Sequence, residues 1–152
     1  MIPQLEDGVL PEGIHDCSLK ECQDAFGKFT RSDRRSRLSQ ALATYVSDAA
    51  TSGIAVAVLI DGSYVTAKLE PNDIDLILVL RADFDLAIEL RPMEYNVQSK
   101  RAVKKRYGFD VLPAILGSEA YEEYVRLFSQ VRMDDPDLST NRTVKGMLRI
   151  EL

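Results

Sequence analysis

Apolar positions along the chain fall into two dense blocks with helical and mixed segments around them. Ile54 to Ile60 is apolar throughout, which predicts a strand buried on both faces. Asp73-Ile-Asp75 then opens a second apolar block ending at Leu80, predicting a strand over 73–80. Before these blocks the spacing is helical. Ser18-Leu-Lys-Glu21 fits a capping box, and Leu19, Cys22, Phe26 and Phe29 follow on one face, predicting a helix over about 19–29. A longer helix is expected from Ser32 to about 51, with Leu38, Ala41, Leu42, Tyr45, Val46 and Ala49 as its apolar stripe and Gly53 beyond its end.

After Leu80 comes a polar connection, and Pro92 is placed to open a helix running to Tyr107. Phe109 to Leu116 reads as a strand carrying Asp110 in apolar surroundings, with Pro113 implying an edge position or a break. Ser118 caps a helix with Tyr121, Tyr124, Val125, Phe128 and Val131 inward. Met133 to Asn141 is an acidic, turn-rich loop that lacks the central glycine and closing glutamate of an EF-hand. Lys145 to Leu152 alternates as a terminal edge strand. Residues 1–16, with Pro3, Gly8, Pro11 and Gly13, read as an irregular arm. The order of elements predicts a single α+β domain, a mixed β-sheet with helices mainly on one face.

Composition narrows the class. A chain of 152 residues, 45% hydrophobic, has material for one core. Its net charge of −5 argues against non-specific coating of nucleic acid, so any such contact has to be local. Cys17 and Cys22 are the only cysteines and His15 the only histidine, with no zinc-type spacing and no disulfide framework, which suits reduced thiols in the cytoplasm. Neither a signal peptide nor a membrane-length apolar run is present, so the expected location is cytoplasmic with no membrane partner. His15 reads as a structural or surface histidine, since nothing in the sequence fixes it beside an acid.

Chemistry concentrates between Asp61 and Leu80. Side chains on a strand alternate, so Asp73 and Asp75 are expected on one face with Cα atoms about 6.6 Å apart. Carboxylates so placed suit a pair of hard cations. Gly62 permits close backbone approach, and the amides after it, with the Ser63 hydroxyl, are placed to hold phosphates. Neither a Walker loop nor a dinucleotide-binding glycine motif is present. Two basic clusters have alternative readings. Arg31, Arg34, Arg35 and Arg37 crowd a helix start, where the dipole disfavours them, as a solvated face or a phosphate contact. Lys100, Arg101, Lys104, Lys105 and Arg106 fill the expected last turns of a helix, either to suit the dipole or to bind an acceptor.

Gly62-Ser63, nine intervening residues, Asp73-Ile-Asp75, and Asp110 on a later strand together resemble the signature of the polymerase-β-like nucleotidyltransferase superfamily, over about residues 54–116. Leu10-Pro-Glu-Gly-Ile-His15 also looks like the opening of short bacterial proteins with such a core. The resemblance implies transfer of a nucleoside monophosphate from a nucleoside triphosphate (NTP) to a hydroxyl. It implies that Gly62 and Ser63 hold the triphosphate and that Asp73, Asp75 and Asp110 are the catalytic, metal-binding acids for two Mg²⁺ or Mn²⁺ ions. RNA or a partner protein is the implied acceptor, and a toxin-antitoxin or phage-defence pair the implied setting. Where small members carry an Arg and a Gly after Gly-Ser, and a Ser before the first acid, this chain has Thr66, Lys68 and Asn72. Lys68 is the candidate for the missing positive charge, with an exposed loop lysine as the alternative. The rival to an enzyme is a module that keeps the fold and binds a partner protein without turnover.

Overall fold

The computed structural model describes residues 1–132 and 140–152. The acidic loop expected over Met133 to Asn141 therefore lies outside the described residues except for its last two positions. Among the described residues, five strands and five helices form an α+β fold: β1 (Ile14–Asp16), α1 (Leu19–Phe26), α2 (Arg34–Ser52), β2 (Ala55–Asp61), a 3₁₀ turn (Ser63–Val65), β3 (Asp75–Leu80), α3 (Pro92–Gln98), α4 (Lys100–Tyr107), β4 (Asp110–Ile115), α5 (Glu119–Phe128) and β5 (Met147–Glu151). The sheet order is β1-β5-β2-β3-β4. It is mixed, because β1 runs parallel to β5 and β3 parallel to β4, while β2 is antiparallel to both its neighbours.

The central strands are apolar on both sides because both sides are covered. Val58, Ile60, Leu76, Leu78 and Leu80 join a large buried cluster with residues of α1 to α4. Their alternates Ala57, Leu59, Ile77 and Val79 join a second cluster against Tyr121, Tyr124, Val125 and Phe128 of α5. The capping box is present, with the Glu21 amide donating to Ser18 Oγ at 3.1 Å and the Ser18 amide to Glu21 Oε2 at 2.8 Å. Along α2, Leu42, Tyr45, Val46 and Ala49 are buried as the stripe predicts. Two tyrosines tie helices together across the sequence: Tyr45 donates to the Val97 carbonyl at 2.7 Å and Tyr107 to Asp48 Oδ2 at 2.6 Å.

Four expectations are revised. The N-terminal arm is not wholly irregular, since its last residues form β1 at the sheet edge. That addition makes β5 an interior strand rather than an edge. The helix expected from Pro92 to Tyr107 is two, broken at Ser99, whose extended backbone (ψ 125°) lets its hydroxyl accept from the Ala102 amide at 3.3 Å and start α4 afresh. Finally, β3 begins at Asp75 rather than Asp73. Pro113 does sit on an edge strand, as a residue without an amide donor should.

The arm reaches β5 by a close backbone approach at Gly146. Its amide donates to the Leu10 carbonyl at 2.9 Å, and the Met147 amide to that of Gly13 at 3.0 Å. A Cβ on Gly146 would overlap the Pro11 carbonyl oxygen and lie 2.8 Å from His15 Nε2. Gly146→Ala should therefore push the arm off β5 and destabilise the fold by about 1–3 kcal/mol. A lower melting temperature with faster hydrogen exchange at the Met147 amide is the expected result; unchanged exchange there would show that the arm does not depend on this contact.

Candidate active site

Strand β2 runs straight into the site, and Gly62 makes the turn. Its φ of +88° lies in the region that glycine alone adopts freely. A side chain there would stand 3.0 Å from the Asp75 amide and 3.1 Å from the Asp73 carbonyl. That close approach brings Ser63 onto the segment before β3. Ser63 Oγ donates to Asp73 Oδ1 at 3.1 Å and accepts from the Asn72 amide at 3.0 Å. The Tyr64 amide donates to the Asp73 carbonyl at 3.3 Å. Strand alternation therefore does not place Asp73, which precedes the strand; the Ser63 turn does. The Ser63 hydroxyl, expected to face phosphate, is engaged with Asp73.

Three carboxylates share one row of the sheet. Asp61 at the end of β2 pairs in register with Asp75, and Asp75 with Asp110 on β4. Asp75 feels all its neighbours: its carboxyl is pushed up to about 6, first by burial and then by Asp73, Asp61 and Asp110, with Arg132 pulling it back. Asp61 is deeper, only 5% exposed, and burial raises its carboxyl too, opposed by the Lys145 ammonium. These two form a buried ion pair.

Asp110 departs from its expected environment. Rather than sitting among apolar groups, its side chain is 65% exposed and lies 3.5 Å from Lys104 Nζ. It is the first residue of β4, so the apolar part of the strand starts after it. A pocket of about 440 Å³ is lined by Gly62, Ser63, Asp73 and Asp75, together with Asp61, Thr66, Lys68, Asn72, Arg132 and Lys145, but not by Asp110. Lys68 is buried, at 7% exposure, so it is not a solvated loop lysine.

The α2 arginines have separate roles. Arg35 is buried and its guanidinium donates to the carbonyls of Phe26, Tyr64, Thr66 and Lys68, latching the segment after Ser63 onto α1 and α2. Arg37 pairs with Asp33, and Arg34 donates to Asn72 Oδ1 at 3.2 Å at the pocket wall. His15 Nε2 lies 2.7 Å from the Pro11 carbonyl, a structural contact within the arm. Both cysteines are free; burial raises both thiols, Cys17 to about 11.

Sequence reasoning missed Asp61, Lys145, Arg132 and the latching role of Arg35. Asp61 had a signal, an acid directly after an apolar strand and before Gly62. Lys145 had none, since its partner is 84 residues away. No three His, Cys, Asp or Glu side chains among the described residues converge as a metal-binding group. Asp73 and Asp75 still fit a hard divalent cation chemically. Both line one pocket, and the burial and carboxylate repulsion that together raise Asp75 are what positive charge there would offset.

The fold and pocket thus define an α+β protein with a polar cleft, lined by both acids and cations, at one end of a mixed sheet. The chain belongs to a family of unknown function, DUF6932, whose model matches residues 3–151. No curated protein and no solved structure matches it. Among the described residues no helix is long and apolar enough to cross a membrane.

Two outcomes test the electrostatics. A carboxyl raised in the folded state favours the protonated form, so Asp75 contributes stability below its ordinary value near 3.8, and loses it as pH rises through about 6. Asp75→Asn should therefore raise the melting temperature of the metal-free protein at pH 7.5 and have little effect at pH 3.5; an equal shift at both would refute the charge crowding. Lys145→Met strands a buried carboxylate and should cost about 3–5 kcal/mol in denaturant unfolding, with much of the loss recovered by adding Asp61→Asn.

Proposed function

We propose that the protein is a metal-dependent nucleotidyltransferase, moving a nucleoside monophosphate from a nucleoside triphosphate to a hydroxyl of RNA or a partner protein in the cytoplasm, with a toxin-antitoxin or phage-defence pair as the setting. The observation that carries this reading is the meeting of Gly62, Ser63, Asp73 and Asp75 in one pocket whose other walls hold Lys68, Arg132 and Lys145. A lining that combines acids with cations suits a triphosphate that needs neutralising along its length and metal at its reacting phosphorus, although Lys145 is engaged with Asp61 and leaves Lys68 and Arg132 as the cations nearest that role.

Asp73 and Asp75 would hold Mg²⁺ or Mn²⁺, which supplies charge neutralisation at the reacting phosphate. Gly62 keeps the backbone close enough for the turn to face the phosphates. The acceptor oxygen bonds to the α-phosphorus as the bond to the bridging oxygen breaks, and pyrophosphate leaves with that electron pair. The hydroxyl proton passes to a carboxylate of the row, with Asp110 the proposed acceptor. A second reading, a module that binds a partner without turnover, is favoured by one observation: Asp110 lies outside the pocket lining and is paired with Lys104.

Melting the protein with Mg²⁺ or Mn²⁺ and each nucleoside triphosphate, followed by pyrophosphate assay and transfer of labelled nucleotide to lysate RNA or protein, separates the two. The enzyme predicts stabilisation by one or more triphosphates and pyrophosphate release, both reduced in Ser63→Ala, and a loss of about 100-fold or more in transfer for Asp110→Asn. Triphosphate binding without any pyrophosphate would favour the binding module, and undiminished turnover in Asp110→Asn would remove that residue from the site.

A further inference from the structure

Helix α4 carries a charge pattern that its own stability does not account for. In one helix ending at Tyr107 its cations would all sit near the favourable, C-terminal end of the dipole. The break at Ser99 changes this, because Lys100 and Arg101 now occupy the first turn of α4, where positive charge opposes the dipole. Lys100 with Lys104, and Arg101 with Lys105, are also like-charge neighbours at i,i+4, an unfavourable spacing. The helix contains no acid, and all four of these side chains are exposed while Val103 anchors the opposite side in the core. Among the described residues only Lys104 of the four has an ion-pair partner, Asp110.

Position gives the pattern a use. The chain passes from α4 through Gly108 and Phe109 to Asp110, the register partner of Asp75, so the C-terminal end of α4 lies at the carboxylate row, with Lys104 reaching Asp110 and Lys100 and Arg101 at the helix's other end. Arg34, hydrogen-bonded to Asn72 at the pocket wall, adds positive charge beside the pocket.

We propose that α4 is a docking surface for the phosphate backbone of a single-stranded RNA, with Lys100, Arg101 and Lys105 as backbone contacts that lead the strand toward the Asp75–Asp110 row. An external polyanion offsets the repulsion that the helix cannot offset itself. The choice of RNA over an acidic peptide rests on the nucleotidyltransferase reading, since RNA offers both a phosphate and a hydroxyl at every residue.

Fluorescence anisotropy with a labelled single-stranded RNA of about 20 nucleotides, in the absence of nucleotide and divalent metal, tests this directly. With at least three backbone contacts, affinity should fall about 20-fold or more between 50 and 200 mM salt. The triple variant Lys100→Gln, Arg101→Gln, Lys105→Gln should bind at least about tenfold more weakly at 50 mM, with a salt slope flatter by about 2 and a melting temperature equal to or above that of the wild type, since the substitutions relieve the helix's own repulsion. Absence of wild-type binding at 50 mM, or a variant that binds like wild type, overturns the proposal. So does displacement of the RNA by an equal concentration of polyglutamate, which would assign the surface to an acidic protein. Triphosphate-induced stabilisation, measured separately, keeps the two inferences apart: RNA failure with that shift intact sinks the docking surface alone, and variant-sensitive RNA binding without the shift leaves the surface standing and removes the enzyme.

Discussion

Repulsion among carboxylates at one end of the sheet is the constraint to which the surrounding structure answers. Asp61, Asp75 and Asp110 share a register row, and Asp73 sits beside them on the Ser63 turn. Each has its own compensation. Asp61 has Lys145 and Asp110 has Lys104, while Asp73 accepts from Ser63 and Asp75 feels the Arg132 charge. Asp75, without a direct ion pair among the described residues, has its carboxyl pushed up to about 6 by burial and by the neighbouring carboxylates. A fold gains nothing in stability from that arrangement. Under the proposed function, positive charge from outside the chain would relieve that crowding.

Holding such a site requires backbone fixed from several directions. Arg35 gathers four carbonyls from α1 and from the segment after Ser63, so a single buried guanidinium closes the turn that presents Gly62 and Ser63. Glu70 accepts from Thr30, the Arg31 amide and Ser32, tying the neighbouring loop to the start of α2. On the far side Lys145 anchors the entry to β5 through Asp61, and β5 is held in turn by β1 and the close contact at Gly146. Both ends of the chain thus support the pocket, although neither contributes to the Gly-Ser and Asp-x-Asp pattern.

Much of this was legible where local rules act alone. The capping box at Ser18, the stripe of α2, the apolar strands and the inward face of α5 follow from periodicity and caps, and they are where those rules put them. The pairing of Asp75 with Asp110 was approachable because both open apolar strands. What stayed hidden depends on contacts between distant segments: β1 becomes a strand only because β5 offers it an edge, and Asp61 becomes a buried acid only because Lys145 arrives. Ser99 shows a different limit. Its neighbours are good helix formers, and its own hydroxyl serves equally in a helix or as a cap, so the break had no decisive local signal.

Ser63 connects the resting geometry to the proposed chemistry. Its hydroxyl has one hydrogen, which goes to Asp73, and its lone pairs accept from the backbone of Asn72 and Asp73. It cannot donate to Asp73 and to a phosphate together. In the proposed enzyme Ser63 would be freed to turn toward a triphosphate once the Asp73 oxygen had another partner, a condition that a cation at Asp73 and Asp75 would create. Under the nucleotidyltransferase reading, the contact that positions Asp73 before substrate arrives is therefore the same contact that makes nucleotide binding depend on metal. On that reading the Ser63 turn would order the two events through a single proton.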